Sequence, residues 1–195
     1  MEDTLDLSMD RAEPLLRLIK ESGLAEHSSA VGSLARHLGR WIGLSVETSE
    51  RLYLAGALHD IGKLAVPEGI INKRGPLTEE EWILVRLHPE TGWRYLRRVG
   101  LVEEAEWVLM HHERPDGRGY PNRLSAGRIP VEASILALAD SYSAMTDDRL
   151  HQTAMSEADA LVEVCRCSGS QFDPLVVQAL LGMAESASRM NGGSA

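Results

Sequence analysis

The chain has 195 residues, enough for one compact domain with a single hydrophobic core. Hydrophobic residues make up 44% and charged residues 25%, which is typical of a globular protein and argues against disorder, collagen and coiled coil. The formal net charge of −9 argues against broad electrostatic binding to DNA, RNA or an anionic membrane.

The sequence favours a cytoplasmic protein without a membrane partner. No apolar run is long enough to span a bilayer, and the acidic start is unlike a signal peptide. The two cysteines, Cys165 and Cys167, are separated by one residue and indicate neither a disulfide framework nor a zinc ribbon. We expect both to be buried packing residues.

Leucine and alanine dominate the apolar residues, whereas aromatic residues are only 5% of the chain. This bias favours helices over strands and predicts an all-α fold. We expect one helical bundle over residues 21–185, since neither a linker nor an internal repeat divides the sequence. A helical N-terminal segment, residues 1–20, precedes it in this prediction, and a disordered tail, residues 186–195, follows it.

The first strongly periodic helix carries apolar side chains at intervals of three and four residues and is predicted to end near Gly43. His27 lies on this buried stripe, whereas His37 falls off it and is expected to be exposed. Ser45 is suited to cap the next helix, which we expect to run to about Lys63.

A capping box formed by Thr78 and Glu81 predicts the start of another helix. Pro89 is expected to end or bend this helix just after His88, because a residue before proline disfavours the helical conformation. Further helices are predicted near residues 102–112, 131–146, 157–167 and from Pro174, which Asp173 caps. Residues 113–130 form a long loop rich in Gly, Pro and Arg, and loops of this length are often functional.

Three polar residues stand at the ends of apolar runs, where burial without a partner would cost several kcal/mol. His59 and Asp60 follow the run 52–58, and Asp140 follows the run 135–139. For Asp140 a buried cap or a salt bridge is the alternative. A divalent metal is the simplest compensating partner, and imidazole with carboxylate suits iron, manganese, zinc or nickel.

The chain has seven histidines, and each one alone is more typical of a core or surface residue than of a metal ligand. Five histidines and two aspartates exceed what one tetrahedral ion needs, which favours a centre with two metals. Asp60 is the candidate bridge, because one carboxylate can join two ions about 3.5–4 Å apart.

Several short motifs follow one another along the chain: His27, His59-Asp60-Ile61-Gly62-Lys63, His88-Pro89, His111-His112-Glu113, Asp116-Gly117-Arg118-Gly119-Tyr120-Pro121 and Ala139-Asp140. In this order they resemble the HD-GYP family, a bacterial branch of the HD-domain phosphohydrolases, over roughly residues 20–180. A lone His-Asp pair would be weak evidence, whereas the ordered series is specific.

The resemblance implies a single helical HD-domain bundle with a long Gly-Tyr-Pro loop, here Gly119, Tyr120 and Pro121. It implies a phosphodiesterase that hydrolyses the second messenger cyclic di-GMP to pGpG or GMP, by attack of a metal-bridging hydroxide on phosphorus. Two divalent ions are implied per chain, with iron or manganese favoured over zinc, nickel or magnesium. By position the ligands are His27, His59, Asp60 and Asp140 for one ion, and Asp60, His88, His111 and His112 for the other.

Other residues match the family by position. Lys63 corresponds to a lysine that approaches a substrate phosphate, and Arg149 to an arginine that contacts the ligand. Arg118 is a candidate substrate contact, with a solvated loop charge as the equal alternative. Glu113 is a candidate to orient a ligating histidine. Gly23 stands where some members carry a glutamate for a third metal, which favours two ions.

The chain departs from the family after Arg149, where Leu150, His151 and Gln152 replace the usual proline, tyrosine and basic residue. Losing that cation is expected to weaken phosphate or guanine contacts, and Arg123 in the loop would offset part of the loss. The departure motivates an alternative function: a weakly active or inactive metal-binding signalling module that docks a partner protein through the Gly-Tyr-Pro loop.

A third interpretation is hydrolysis of another nucleotide by a more general HD-domain protein, which the motif at residues 116–121 disfavours. A cyclic dinucleotide is therefore the expected partner, whereas DNA, RNA and membranes are not expected partners. Whether the chain forms a homodimer stays open.

Overall fold

The computed structural model describes residues 2–147 and 154–192, with the side chains of residues 8–147 and 154–190. Within these ranges the all-α prediction is confirmed, and β-pairing is limited to two isolated bridges. The helices are α1 Glu2–Glu21, α2 Ala25–Ile42, α3 Val46–Leu58, α4 Glu68–Ile71, α5 Glu79–Val85, α6 His88–Arg98, α7 Val102–Met110, α8 Val131–Thr146, α9 Glu157–Arg166 and α10 Pro174–Gly192. A 3₁₀ helix, Ile61–Ala65, joins α3 to α4.

Local capping chemistry sets several helix ends where the sequence predicts them. The Ser45 hydroxyl accepts a hydrogen bond from the Thr48 amide at the start of α3. Thr78 and Glu81 form both hydrogen bonds of the predicted capping box at the start of α5. Gly43 ends α2 in the left-handed conformation, with φ of 94°.

The core is built around α2, which packs against α3 and α8. The α2 stripe predicted from the sequence is buried, with Val31 and Leu38 both at 0% exposure. α2 and α3 approach closely at two glycines: a Cβ on Gly56 would lie 2.6 Å from the Cα of Gly32. This close contact holds the C-terminal end of α3, and therefore His59, against the rest of the bundle.

α1 belongs to the same core. Its Ala12, Leu15 and Ile19 are buried, and the helix packs on α3. None of the described helices is both long and apolar enough to cross a lipid bilayer.

The region around Pro89 differs from the prediction. The helix that starts after Thr78 ends at Val85, and a second helix, α6, begins at His88. Pro89 is the second residue of α6, where proline is tolerated because the first-turn amides have no helical partner. Likewise, the helix expected to reach Lys63 ends at Leu58 and gives way to the 3₁₀ helix.

Two further expectations are corrected at the C-terminal side. α10 continues to Gly192, so residues 186–192 are helical rather than disordered, since no proline interrupts them. Cys165 is exposed and Cys167 half-buried, because Cys165 lies on the outer face of α9, whose buried residues are Ala160 and Val164.

Candidate metal centre

The predicted ligands come from separate parts of the chain and meet at one place. His27 lies on α2, His59 and Asp60 follow α3, and His88 begins α6. The others are His111 and His112, which follow α7, and Asp140 on α8. The side-chain donor atoms form three overlapping groups, in each of which all atoms lie within 4.8 Å of one another: His27 with His59 and Asp60, His59 with His111 and Asp140, and His88 with His111 and His112.

The orientation of three histidines is fixed by their own backbone. Nδ1 of His59, His88 and His111 lies 2.8, 2.7 and 2.6 Å from the carbonyl oxygen of the residue three positions earlier. A carbonyl only accepts, so each Nδ1 carries the proton and donates it. The lone pair of each Nε2 is then left to face the centre of the cluster, as metal-ligating histidines require.

One half of the cluster consists of three converging imidazoles. Nε2 of His88 lies 3.5 Å from Nε2 of His111 and 3.2 Å from Nε2 of His112. The Nε2 lone pairs of His88 and His111 face each other and repel, unless a cation lies between them. Nitrogens about 2.1 Å from one tetrahedral ion are separated by about 3.4 Å, so this spacing fits a shared ion.

Asp60 connects the two halves. Its Oδ2 lies 3.4 Å from Nε2 of His59, and its Oδ1 lies 3.5 Å from Nε2 of His88. The Lys63 ammonium donates to Oδ2 at 2.6 Å. The two oxygens of one carboxylate therefore face different histidines, the arrangement that a bridging ligand needs.

The other half joins α2 to α8. Nε2 of His27 lies 3.0 Å from Oδ1 of Asp140, and the same oxygen lies 3.6 Å from Nε2 of His59. Nδ1 of His27 faces Oγ of Ser143 at 3.4 Å and Oδ2 of Asp147 at 3.6 Å. The hydroxyl of Ser143 donates to Asp147 at 3.0 Å, so His27 is oriented by side chains rather than by its own helix.

Burial keeps the three-imidazole half neutral. It lowers the pKa of His88 to about 4 and that of His112 to about 3, and it holds the pKa of His111 well below its usual value. All three are deprotonated at neutral pH, so their nitrogens are ready to bind a cation.

The carboxylate half has the opposite character. Burial disfavours charge on His59, but Asp60 and Asp140 outweigh it and raise the pKa of His59 to about 10. Burial likewise opposes ionisation of Asp60, yet His59 and Lys63 hold the pKa of its carboxyl well below the usual range. The two carboxylates therefore favour positive charge at this position, which the proton on His59 supplies when no metal is bound.

A divalent metal fits these residues. Nε2 of His59 and Oδ1 of Asp60 are buried and have no hydrogen-bond partner in the described part of the chain. Such atoms are rare and costly in folded proteins, and cations held in the two halves of the cluster would satisfy them. The mixed nitrogen and oxygen donor set is the one that iron, manganese and zinc take.

The long loop forms a wall beside this centre. A cavity of about 280 Å³ is lined by His112, Tyr120 and Arg118, and the Tyr120 ring stacks on the His112 ring with centroids 4.7 Å apart. Arg86, at the end of α5, also lines the cavity and lies 5.8 Å from the centroid of Tyr120. Two arginines beside an imidazole cluster suit an anionic ligand.

Glu113 does not orient a histidine. Its two carboxylate oxygens accept hydrogen bonds from the amides of Asn122 at 2.6 Å and Leu124 at 2.8 Å. It therefore ties the middle of the loop to the end of α7, and it holds Tyr120 over the site indirectly. Arg149, which was predicted to contact the substrate, lies outside the described residues.

Sequence reasoning missed three residues that border the site: Arg86, Ser143 and Asp147. Ser143 lies three positions after Asp140 on the same face of α8, and Asp147 lies seven positions after it, directly beyond the end of that helix. That spacing was the available signal. No local pattern marks Arg86, whose place depends on how α5 packs beside the loop.

The helical bundle and the buried histidine–aspartate cluster together define a metal-binding domain. A family model described as HD domain matches residues 12–176. The chain belongs to the HD domain family.

The chain is 41% identical over 159 residues to a 3'3'-cGAMP-specific phosphodiesterase 1 of Vibrio cholerae, covering 77% of this chain and 37% of the relative. It is also 41% identical over 158 residues to a cyclic di-GMP phosphodiesterase of Pseudomonas aeruginosa, covering 80% and 38%. These matches confirm the resemblance carried by the motifs. The chain spans less than half the length of both relatives.

The fold is shared with the HD domain of the phosphodiesterase PgpH of L. monocytogenes, solved in complex with cyclic di-AMP. The TM-score is 0.64 at 20% sequence identity, covering 89% of this chain and 96% of that one.

Proposed function

We propose that this chain is a metal-dependent phosphodiesterase that hydrolyses cyclic di-GMP to pGpG or GMP. The observation that carries the proposal is the position of Asp60, whose two oxygens face histidines of different halves of the cluster. A centre of this kind can hold two ions, and two-metal centres are typical of enzymes that cleave phosphate esters.

The ligands in this proposal are those that the motifs assign. His27, His59, Asp60 and Asp140 would hold one ion, and Asp60 with His88, His111 and His112 would hold the other. Iron or manganese is the proposed metal, because the set combines imidazole with carboxylate and contains no thiolate. Bound ions would lower the pKa of a water molecule and neutralise charge on the phosphate.

The protein side chains position the phosphate. Lys63 lies 2.6 Å from Oδ2 of Asp60 and is 28% exposed, so its ammonium can turn from that carboxylate to a non-bridging phosphate oxygen. Charge stabilisation of this kind acts most strongly where water is excluded. Arg118 and Arg86 line the adjoining cavity and add positive charge on the side of Tyr120.

The Gly-Tyr-Pro loop supports an enzymatic role over docking of a partner protein. Gly119 is buried, and a Cβ there would lie 2.5 Å from the carbonyl oxygen of His112. Tyr120 stacks on His112. Both residues thus face the metal centre, where they shape its cavity, rather than a partner in solvent.

The relatives support the substrate class. The names of two of them specify cyclic di-GMP and 3'3'-cGAMP, and the structurally similar domain was solved with cyclic di-AMP. All three molecules are cyclic dinucleotides with two phosphodiester bonds. The cytoplasmic location stays a prediction.

The proposal is tested by incubating the protein, loaded with iron or manganese under reducing conditions, with cyclic di-GMP and separating the products by chromatography. We expect pGpG or GMP, and no product after chelation. Absence of hydrolysis with either metal would overturn the proposal.

Lys63→Met tests the role of the lysine in the same assay. We expect it to keep its metal but to lose roughly ten- to a thousandfold in turnover, because one charge-stabilising group is removed. Lys73→Met is the matched control, since Lys73 is also ion-paired and partly exposed but contacts Glu81 outside the site. Loss of metal from Lys63→Met would reassign the lysine to a structural role.

A further inference from the structure

A second cavity, of about 320 Å³, lies on the side of the metal centre where Lys63 contacts Asp60. It lies between the turn that joins α1 to α2 and the segment from the 3₁₀ helix to α4, and Lys63 lines it. It shares no lining residue with the cavity beside Tyr120. Its size is within the range of small-ligand pockets.

The position of Lys63 links this cavity to the chemistry. The ammonium contacts Asp60, the carboxylate at the centre of the cluster, while the side chain forms part of the cavity wall. A phosphate group held at the ions would therefore place the nucleoside attached to it near this cavity.

The lining combines apolar walls with hydrogen-bonding groups, as a purine base requires. Leu24, Leu64 and Ile71 supply apolar surface that can cover the faces of a ring. Glu68 and Asn72 supply polar groups, and their mutual contact, Asn72 Nδ2 to Glu68 Oε1, is long at 3.4 Å. A second carboxylate in the lining, that of Glu21, is already paired with Arg17 at 3.0 Å, so Glu68 is the better candidate for a ligand contact.

We propose that this cavity is a base subsite that selects guanine through Glu68 and Asn72. The inference rests on the proposed function, since it assigns one nucleotide of the cyclic dinucleotide substrate to this side of the metal centre. The Glu68 carboxylate accepts from N1–H and N2–H of guanine, and the Asn72 amide donates to O6.

The same groups discriminate against adenine. Adenine offers only N6–H as a donor on this edge, and its N1 is an acceptor that would face a carboxylate oxygen. Two hydrogen bonds from one base to one carboxylate both strengthen binding and select a base with the matching donor geometry. Mismatched polar groups are penalised because they lose their bonds to water without replacement.

The test compares Glu68→Gln with the unsubstituted protein, both loaded with metal. The measured quantities are the KM for cyclic di-GMP and the inhibition constant of cyclic di-AMP as a competitor. We expect the KM for cyclic di-GMP to rise roughly five- to twentyfold, a modest change because Glu68 is exposed and its contact is partly screened. The inhibition constant of cyclic di-AMP should change less than twofold, because adenine does not use this carboxylate. Asn72→Ala should act in the same direction.

Glu157→Gln is the control, because Glu157 is an exposed glutamate in the first turn of a helix, like Glu68, but lines neither cavity. A selective rise for cyclic di-GMP supports the base subsite. An equal change for both dinucleotides, or none in Glu68→Gln, overturns it and leaves the phosphodiesterase standing. If the unsubstituted protein hydrolyses no cyclic dinucleotide, the proposed function and the subsite fall together.

Discussion

The ring nitrogens of the cluster histidines have separate tasks. In His59, His88 and His111 the Nδ1 proton is held by a carbonyl of the preceding helical turn, so the same helix end both positions the ring and selects its tautomer. His27 lies within its helix and is instead oriented by Ser143 and Asp147. A histidine at a helix end can thus be oriented by local structure, whereas one within a helix needs a tertiary partner.

The shifted pKa values predict how the stability of the metal-free protein depends on pH. His88 and His112 have pKa values lowered from 6.5 to about 4 and about 3, so below pH 6.5 the unfolded chain binds protons that the folded one does not. His59 has its pKa raised from 6.5 to about 10, so above pH 6.5 the folded protein holds a proton that the unfolded one has lost. Stability is therefore expected to be highest near pH 6.5 and to fall on both sides.

The measurement is the Tm of the chelated protein between pH 4.5 and 9.5. We expect a fall of at least about 5 °C towards each end, since a shift of one pKa unit corresponds to roughly 1.4 kcal/mol. The alkaline slope should flatten in His59→Gln. A Tm that stays constant from pH 5 to 9 would contradict the assigned protonation states.

At the scale of elements, the site depends on close contact between the 3₁₀ helix and α6. A Cβ on Gly62 would lie 2.0 Å from the carbonyl oxygen of His88 and 2.7 Å from the amide nitrogen of Gly92. Both are backbone atoms, which cannot rotate away. Only glycine lets these two elements approach closely enough for His88 to face Asp60.

Gly62→Ala is therefore expected to displace α6, lower the unfolding free energy by at least about 2 kcal/mol and weaken metal binding. Gly69→Ala is the matched control, because a Cβ there meets nothing within 4 Å. It should change stability by less than about 1 kcal/mol. Tm and metal content by elemental analysis report the two effects, and an unchanged metal content in Gly62→Ala would contradict this account of the contact.

The elements that local chemistry defines were predictable from the sequence. Ser45, Thr78 and Glu81 cap helices where expected, and polar residues after apolar runs marked His59, Asp60 and Asp140 as partners of something buried. These signals come from residues that are close together in the sequence, so they can be read without knowledge of the tertiary structure.

The missed features depend on tertiary contacts. Pro89 is equally compatible with a helix end and a helix start, and its position alone did not distinguish them. Glu113 was matched to a histidine, but it binds amides nine and eleven residues further along, which only the closed loop brings near. Arg86 likewise reaches the cavity through packing of α5 beside Tyr120.

At the scale of the whole molecule, one buried ion pair ties the bundle together away from the site. Glu104 on α7 is 1% exposed and accepts from Nε of Arg51 on α3 at 2.7 Å and from Nη2 at 3.1 Å. The proposed metal ligands His59 and His111 directly follow α3 and α7, so this pair fixes their relative position at a distance from the centre.

Arg51→Met is expected to cost about 3–5 kcal/mol, because it leaves the Glu104 carboxylate buried and uncompensated. Arg189→Met removes an exposed pair with Glu185 and should cost less than about 1 kcal/mol. Adding Glu104→Leu to Arg51→Met should recover most of the loss. Urea denaturation gives these values, and equal costs for the two arginines would contradict the structural role of the pair.

The proposed phosphodiesterase activity requires two ions that are joined through Asp60. The most direct measurement is the rate of cyclic di-GMP hydrolysis by metal-stripped protein as Mn²⁺ is added in defined equivalents per chain. A low rate is expected at one equivalent and a plateau at two, because neither half of the cluster completes the site alone. A plateau at one equivalent, or a rate independent of metal, would contradict it.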